Sequence, residues 1–389
     1  MPIIETAVAL CAVGAEKTVS NEIRKLELTV IESGFGQVRF KTDLSGVYRS
    51  LMGLRAADRV LLEAACFPAL DFDQLFEGVR KVPWEKYIQP RLGLKISKVR
   101  TNRSKLESET SVQAVAHKAA AERLCTKRGI NRLPETGEDA ELRIYIEKDR
   151  VSVLLDLSGE PLFKRGYRTS GGIAPLRETT AAAIILHSMW KRKFPLYDPF
   201  CGAGTIATEA AMYAWDIAPG ISRHFALEQL LIADRDTERK IRNELLQKVD
   251  FSRLVRIAGS DSDTGAVKAA RANMERALAL VRGKPDNAPS FNVLPMEEAK
   301  PLKYPGENSG ETEGFIITNP PYGRRLGDAE SSEKIYAEMG RLTGNFPGWK
   351  LVLITDHPGF ESFFGRKADS CREITNGAIH SYLYQYEKL

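Results

Sequence analysis

Apolar residues recur along this chain with a period of two in some stretches and with helical spacing in others. In the first half these stretches follow one another closely, which is typical of small α+β modules. The predicted strands there are residues 3–13, 37–40, 59–64, 93–100, 142–146 and 151–157. The predicted helices are residues 16–26, a segment capped by Asp43, residues 70–80 and residues 110–127.

The second half has single strands separated by longer helical segments, which indicates a largely parallel sheet. The predicted strands are residues 196–198, 255–261, 290–294, 315–318 and 349–355, followed by a hairpin turning at Asn376-Gly377. The predicted helices are residues 177–190, a segment through Glu209, and residues 226–250, 266–280 and 332–342. We therefore expect three units: an α+β module at 1–65, a second at 66–160, and an α/β domain at 161–389.

One strand in the second half ends abruptly at a polar residue. Residues 315–318 are followed by Asn319, Pro320 and Pro321, and neither proline can donate to a sheet. The Asn319 side-chain oxygen and the Pro320 carbonyl can both accept hydrogen bonds from an amine, and Tyr322 can stack on a ring. The plainer alternative is a turn that merely ends a strand.

A glycine-rich turn joins the strand at residues 196–198 to the next helix. Gly202 and Gly204 permit unusual backbone angles and a close approach of ligand, and Asp198 ends the strand. The spacing matches neither the dinucleotide fingerprint nor a phosphate-binding P-loop. Asp261 ends the following strand, where a carboxylate can accept ribose hydroxyls, whereas Asp263 is placed to cap a helix. A glycine turn used only for packing is the alternative.

The positive charge is concentrated in one region. The chain of 389 residues has a formal net charge of +5, but residues 80–132 contain 14 Lys and Arg against 4 Asp and Glu. That stretch is therefore at +10 and the remainder near −5. Such an asymmetry favours an anionic partner, most simply nucleic acid, over a solvated basic face without a ligand.

Cysteine and histidine usage argues against metal and disulfide chemistry. The five cysteines include no Cys-x-x-Cys pair and the five histidines are scattered, so we expect free thiols in a reducing cytoplasm and no metal. Glu5 interrupts the apolar N-terminus, so no signal peptide is expected. No apolar run is long enough to span a membrane.

The two turns, in this order, resemble those of class I S-adenosylmethionine-dependent methyltransferases that act on amino groups. The resemblance implies a Rossmann-like α/β domain and a catalytic motif at Asn319, Pro320, Pro321 and Tyr322. It also implies the cofactor-binding residues Asp198, Phe200, Gly202, Gly204, Thr205 and Asp261. Thr179, in the first turn of a helix, either lies beside the methionine end of the cofactor or only begins that helix. In the family an acidic residue contacts the adenine amino group of the cofactor, and either Glu297 or Glu298 can take this role.

The first 160 residues resemble a THUMP RNA-binding domain preceded by a ferredoxin-like module. This resemblance implies binding to structured RNA, and the candidate contacts are the basic residues Lys95, Lys98, Arg100, Arg103 and Lys105. The whole chain resembles the RlmL/YpsC-type 23S rRNA guanine-N2 methyltransferases, which implies 23S rRNA or a ribosomal assembly intermediate as partner. The residues alone do not separate guanine N2 from adenine N6. A DNA or RNA adenine-N6 methyltransferase, a protein-glutamine methyltransferase and an inactive RNA-binding protein remain alternatives.

Overall fold

The computed structural model describes residues 5–135, 137–168, 176–301, 313–321 and 329–389, and this part of the chain contains two seven-stranded sheets. The strands of the first sheet are β1 (Thr6–Cys11), β2 (Thr29–Gly34), β3 (Gln37–Lys41), β4 (Ala57–Pro68), β5 (Gly93–Asn102), β6 (Asp139–Glu147) and β7 (Arg150–Asp156). Its helices are α1 (Glu16–Lys25), α2 (Leu44–Gly53), α3 (Phe72–Lys81) and α4 (Glu109–Arg128).

The first sheet has the order β2-β3-β1-β4-β7-β6-β5, and only β5 and β6 pair in parallel. Because β4 pairs with both β1 and β7, the two N-terminal units share this sheet, and residue 65 falls inside β4. The edge strand β5 is protected by α4, whose Gln113 and His117 side chains reach the carbonyls of Ile96 and Leu94.

The second sheet is mainly parallel and carries the C-terminal half. Its strands are β8 (Leu196–Asp198), β9 (Ile257–Asp261), β10 (Ser290–Val293), β11 (Phe315–Thr318), β12 (Lys350–Thr355), β13 (Ser370–Asn376) and β14 (Ile379–Tyr386). Its helices are α5 (Glu178–His187), α6 (Thr205–Ala214), α7 (Arg235–Gln247), α8 (Thr264–Ala279), α9 (Ala329–Met339), α10 (Leu342–Asn345) and α11 (Phe360–Phe364).

The strand order β10-β9-β8-β11-β12-β14-β13 confirms the expected α/β class. The chain progresses outward from β8 to β10 and then returns to place β11 on the other side of β8, so the direction of winding reverses between these two strands. The hairpin β13–β14 adds an antiparallel edge beside β12. Ligands of such sheets bind outside the carboxyl ends of the strands, at this point of reversal.

Several predicted element boundaries were wrong. The helix predicted over residues 226–250 begins only at Arg235, because the Asp234 side chain caps it by accepting from the backbone of Asp236 and Thr237. The predicted helix over residues 332–342 is two helices, α9 and α10. The strand β2 was not predicted, because Ile31 lies in an exposed edge strand without a buried apolar face.

A buried polar network joins the two halves of the chain. Glu22 of α1 accepts the backbone N–H groups of Arg55 and Ala56 at 2.8 and 3.0 Å. The Arg55 guanidinium in turn donates at 2.7 Å to the carbonyl of Ile217, beyond α6. One apolar core includes residues of both sheets, so the N-terminal sheet is packed against the α/β domain.

Across the described residues, no helix is both long enough and apolar enough to cross a bilayer. All five cysteines are described and carry free thiols.

Candidate active site

The site lies at the carboxyl ends of β8 and β11, where the direction of winding reverses. Asp198 is the last residue of β8, and Asn319 directly follows β11. The two strands are hydrogen-bonded neighbours, with Phe315 opposite Leu196 and Ile316 opposite Tyr197. The structure therefore brings together the two turns that the sequence analysis singled out.

Asp198 is a buried carboxylate, 1% exposed, that has no cationic partner among the described residues. Its Oδ1 accepts hydrogen bonds from the Thr318 hydroxyl at 2.6 Å and from the Phe200 backbone N–H at 3.2 Å. Burial raises the pKa of Asp198 to about 7, against the lowering effect of these two donors, and the negative charge of Asp261 raises it further. A positively charged ligand group would stabilise the ionised form.

The two glycines of the turn serve different purposes. Gly202 has φ +50, and a Cβ built on it would meet no atom within 4 Å, so the backbone there faces open space. Gly204 has φ +75, but its Cβ would come within 2.8 Å of Ala270 Cβ and 3.0 Å of the Phe291 ring. Gly204 is thus required for packing against α8 and β10, and a cofactor contact there stays a prediction.

The Asp261 carboxylate braces the glycine turn. Its Oδ2 accepts the backbone N–H of Gly202 at 2.9 Å, and its Oδ1 accepts that of Asp263 at 3.0 Å. Each oxygen retains a further lone pair for a ligand hydroxyl. Asp263 caps α8 by accepting the Gly265 N–H at 2.7 Å, as predicted.

Asn319 presents an amide oxygen that has no partner among the described residues. The residue is 8% exposed, and its Oδ1 is buried without a hydrogen bond to any of them. Such an orphaned acceptor is costly unless a ligand donor satisfies it. Pro320 is buried and Pro321 partly buried beside it, whereas Tyr322 lies outside the described residues.

Two other predicted cofactor-binding side chains are engaged elsewhere. The buried Thr179 hydroxyl donates at 2.5 Å to Asp58 of β4, so it ties α5 to the N-terminal sheet. The Thr205 hydroxyl accepts from Arg168, whose guanidinium also contacts Glu178 at 3.4 Å. Cofactor contacts by these two threonines stay predictions.

Several residues that support the site were not found from the sequence. Asn273 of α8 donates at 2.8 Å to the carbonyl of Ala203 in the glycine turn, and Arg276 donates at 2.5 Å to Oδ1 of Asn273. Arg276 also reaches the Tyr167 carbonyl at 2.7 Å, and the Tyr167 hydroxyl donates at 3.1 Å to Glu209 of α6. The signal available in the sequence was a polar Asn on the inner side of the helix predicted over residues 266–280.

The geometry does not distinguish between the two acidic candidates for contact with the adenine of the cofactor. Glu297 is partly buried and Glu298 is exposed, and both lie in a single helical turn after β10. That turn is fixed by the Asn345 side chain, which donates at 3.1 Å to the Glu297 carbonyl.

The basic strand β5 presents its charges on one exposed face. A bulge between Ile96 and Lys98 reverses the alternation, so that Lys98 points outward with its neighbours while Val99 is buried. The five predicted RNA contacts are all exposed and make no ion pair with a described residue; they are Lys95, Lys98, Arg100, Arg103 and Lys105. Arg100 lies over the Tyr145 ring at 5.4 Å.

Comparison with protein-family models gives three matches. Residues 165–385 match the RMKL-like methyltransferase domain, residues 6–61 the RlmL ferredoxin-like domain, and residues 69–156 the THUMP domain.

Similar proteins carry related names. The chain is 34% identical to the Bacillus subtilis protein named "Putative RNA methyltransferase YpsC", over 98% of this chain and 95% of that one. It is 32% identical to the ribosomal RNA large subunit methyltransferase K/L of Cellvibrio japonicus, over 97% of this chain but 50% of that protein, so it spans about half the length of this relative. A crystal structure of SMU.472, described as "a putative methyltransferase complexed with SAH", superposes with a TM-score of 0.87 at 35% identity, over 100% of this chain and 99% of that one.

Proposed function

Since the chain belongs to the RMKL-like methyltransferase family, we propose that it transfers a methyl group from S-adenosylmethionine to an exocyclic amine of RNA. The observation that carries this proposal is the buried Oδ1 of Asn319 at the β11 strand end, which has no hydrogen-bond partner among the described residues. An acceptor in that position suits an amine donor, and it adjoins a buried carboxylate that suits a cation.

The residues around Asp198 fit S-adenosylmethionine. When bound, this cofactor supplies an electrophilic methyl group carried on a sulfonium. Asp198 would hold the cationic amino group, because it is a buried carboxylate without a positive partner among the described residues. Asp261 would accept the ribose hydroxyls, and the open space at Gly202 would admit the ligand against the backbone. The SAH bound to the similar SMU.472 protein supports the same ligand class here.

Asn319 acts on the substrate amine by accepting hydrogen bonds. An exocyclic amine is conjugated with its ring and is a poor nucleophile. The Asn319 oxygen and the Pro320 carbonyl accept from its two N–H groups and favour the positive charge that develops on nitrogen. An amide is practically non-basic, so the proton leaves to water. Tyr322, assigned from the sequence motif, stacks on the base and holds the amine in line.

The N-terminal sheet supplies the contact with RNA. The THUMP match and the exposed, unpaired charges of β5 support structured RNA as the partner. For the base, we propose guanine N2 of 23S rRNA. The support is the name of the K/L relatives, whose length this chain half covers, together with the RlmL ferredoxin-like match. The target base must leave its stack to present its amine at Asn319.

The test is transfer of a labelled methyl from S-adenosylmethionine to 23S rRNA transcript, tRNA, DNA and protein, with nucleoside analysis of the product. We expect N2-methylguanosine in the rRNA only. N6-methyladenosine as the product would overturn the base assignment but keep the chemistry of Asn319. Label found only in protein would overturn RNA as the substrate.

A further inference from the structure

A groove of about 720 Å³ shares no lining residue with the site described above. It separates α1 of the N-terminal sheet from the end of α5 and the hairpin β13–β14. Five basic side chains line it, namely Lys17, Arg24, Lys25, His187 and Arg372. All residues that line the groove are described.

The positive charges of this groove are not matched by free acids. Lys17, Lys25 and Arg372 are exposed, and none makes an ion pair with another described residue. The two lining carboxylates are already engaged: Glu22 accepts two backbone N–H groups, and Glu387 pairs with Lys350. Unmatched cations facing one cavity favour an anionic partner from outside the chain.

The charges converge near the middle of the groove. Burial lowers the pKa of His187, and the positive charges of Arg372 and Lys17 lower it further. These two residues come from β13 and α1, so the N-terminal sheet and the α/β domain each contribute one side. Beside them lies Met189, which is 73% exposed, whereas the Tyr213 ring is covered by the Arg192 guanidinium at 4.1 Å.

The groove is at one edge of the sheet, three strands away from the strand β11 that precedes Asn319. Strand β13 runs in the same direction as β12, because both are antiparallel to β14. Through β14, Ser370 is level with Val352 and Arg372 with Ile354, near the carboxyl end of β12. Neighbouring strands lie about 4.8 Å apart, so β13 and β11 are separated by roughly 14 Å. A polynucleotide chain can span this distance and contact both the groove and Asn319.

We propose that this groove binds the sugar–phosphate backbone of the substrate RNA beside the target base. The inference rests on the proposed RNA substrate and extends the RNA contact from β5 to the ferredoxin-like unit and the α/β domain. RNA is favoured over an acidic peptide because the chain already carries a THUMP match and an exposed basic strand.

The test reverses two charges in the groove, Lys17→Glu with Arg372→Glu. The matched control is Lys240→Glu with Lys248→Glu, because both lysines are exposed on or beside α7 and make no ion pair with a described residue. The measured quantities are affinity for a 23S rRNA transcript against salt and affinity for poly-glutamate. We expect the groove variant to lose about tenfold or more in RNA affinity and its salt slope to fall by about 1.4 to 1.8.

Equal RNA affinity of the groove and control variants would overturn the proposal. Loss of poly-glutamate binding with RNA binding intact would also overturn it, in favour of an acidic protein. Calorimetry with S-adenosylmethionine verifies that the variants are folded, and Lys17→Gln with Arg372→Gln replaces the reversal if that variant fails to fold. Methyl transfer by the unaltered chain is measured in parallel. If no RNA is methylated, the proposed function is refuted. If RNA is methylated but the groove variant binds RNA as tightly as the unaltered chain, only the proposal for the groove is refuted.

Discussion

The Thr318 hydroxyl donates a 2.6 Å hydrogen bond to Oδ1 of Asp198, across 120 positions of sequence. Thr318 immediately precedes Asn319 and ends β11, while Asp198 ends β8. Both residues are buried. The bond therefore connects the strand end that presents the amide oxygen to the strand end that presents the carboxylate.

Removing this donor should shift the pH dependence of cofactor binding. Thr318→Val leaves the buried Asp198 with one fewer stabilising hydrogen bond, so the pKa of Asp198 rises above about 7. Loss of a hydrogen bond to a charged group corresponds to about one to two pH units. Calorimetry from pH 6 to 9 should show the midpoint for S-adenosylmethionine binding shifted upward by that amount. Thr318→Ser should restore it, and an unshifted midpoint in the valine variant would contradict the link.

Asp198 should also make the ligand-free protein less stable as the pH rises. Its pKa is raised from 3.8 to about 7 by burial, so the folded chain holds this proton more tightly than the unfolded chain. The contribution to the free energy of unfolding is complete below about pH 4 and is lost as the pH rises through about 7. The loss is on the order of a few kcal/mol.

Asp198→Asn removes this loss, because an amide oxygen still accepts from Thr318 and Phe200. The free energy of unfolding, measured with urea, should differ less between pH 5 and pH 8 for the variant than for the unaltered chain. Equal differences would mean that the Asp198 carboxyl does not titrate as stated.

Alanine at the two glycines should have contrasting effects. Gly204→Ala places a Cβ 2.8 Å from Ala270 Cβ at φ +75, so we expect a loss of about 2–4 kcal/mol in the free energy of unfolding. In Gly202→Ala the new Cβ meets no atom, so the free energy of unfolding should fall by only about 1–2 kcal/mol, through the φ of +50 alone. Its main effect should be weaker S-adenosylmethionine binding. Urea unfolding and calorimetry separate the two, and a stability loss at Gly202 as large as at Gly204 would refute the assignment.

Asn319→Ala should slow methyl transfer without weakening the fold. Because its Oδ1 accepts from no described residue, the truncation leaves no described donor unsatisfied. Single-turnover rates should fall by about 10²–10³, with cofactor and RNA affinities unchanged. Asn273→Ala is the matched control, since that amide holds Ala203 and Arg276 and its loss should reduce stability. Near-normal rates in Asn319→Ala would remove this residue from the chemistry.

Reversing Lys98 and Arg100 to Glu should weaken RNA binding and flatten its salt dependence. Both are exposed on β5 and make no ion pair with a described residue, so each is free to neutralise a phosphate. The slope of log affinity against log salt should fall by about 1.4 to 1.8. Fluorescence anisotropy with a 23S rRNA transcript measures this, and cofactor affinity is the internal control. An unchanged slope would identify the face as solvated surface only.

Features that depend on a few neighbouring residues could be determined from the sequence. Two prolines cannot continue a sheet, so the strand had to end at Asn319 whatever surrounds it. Asp43 and Asp263 cap their helices because a short side chain accepts backbone N–H groups two or three residues ahead. The order of strands and helices similarly predicted the α/β class, because periodicity reports which face of each element is buried.

Only the tertiary structure decided what depends on which strands become neighbours. The hydrogen bond from Thr318 to Asp198 exists because β11 returns to pair with β8. Thr179 reaches Asp58 because α5 packs on the N-terminal sheet. This hydrogen bond joins two residues that are 121 positions apart in sequence. Gly204 differs from Gly202 through the approach of α8 and β10. Local patterns state what each residue can do, whereas the folded chain selects its partner, because packing brings together residues that are distant in the sequence.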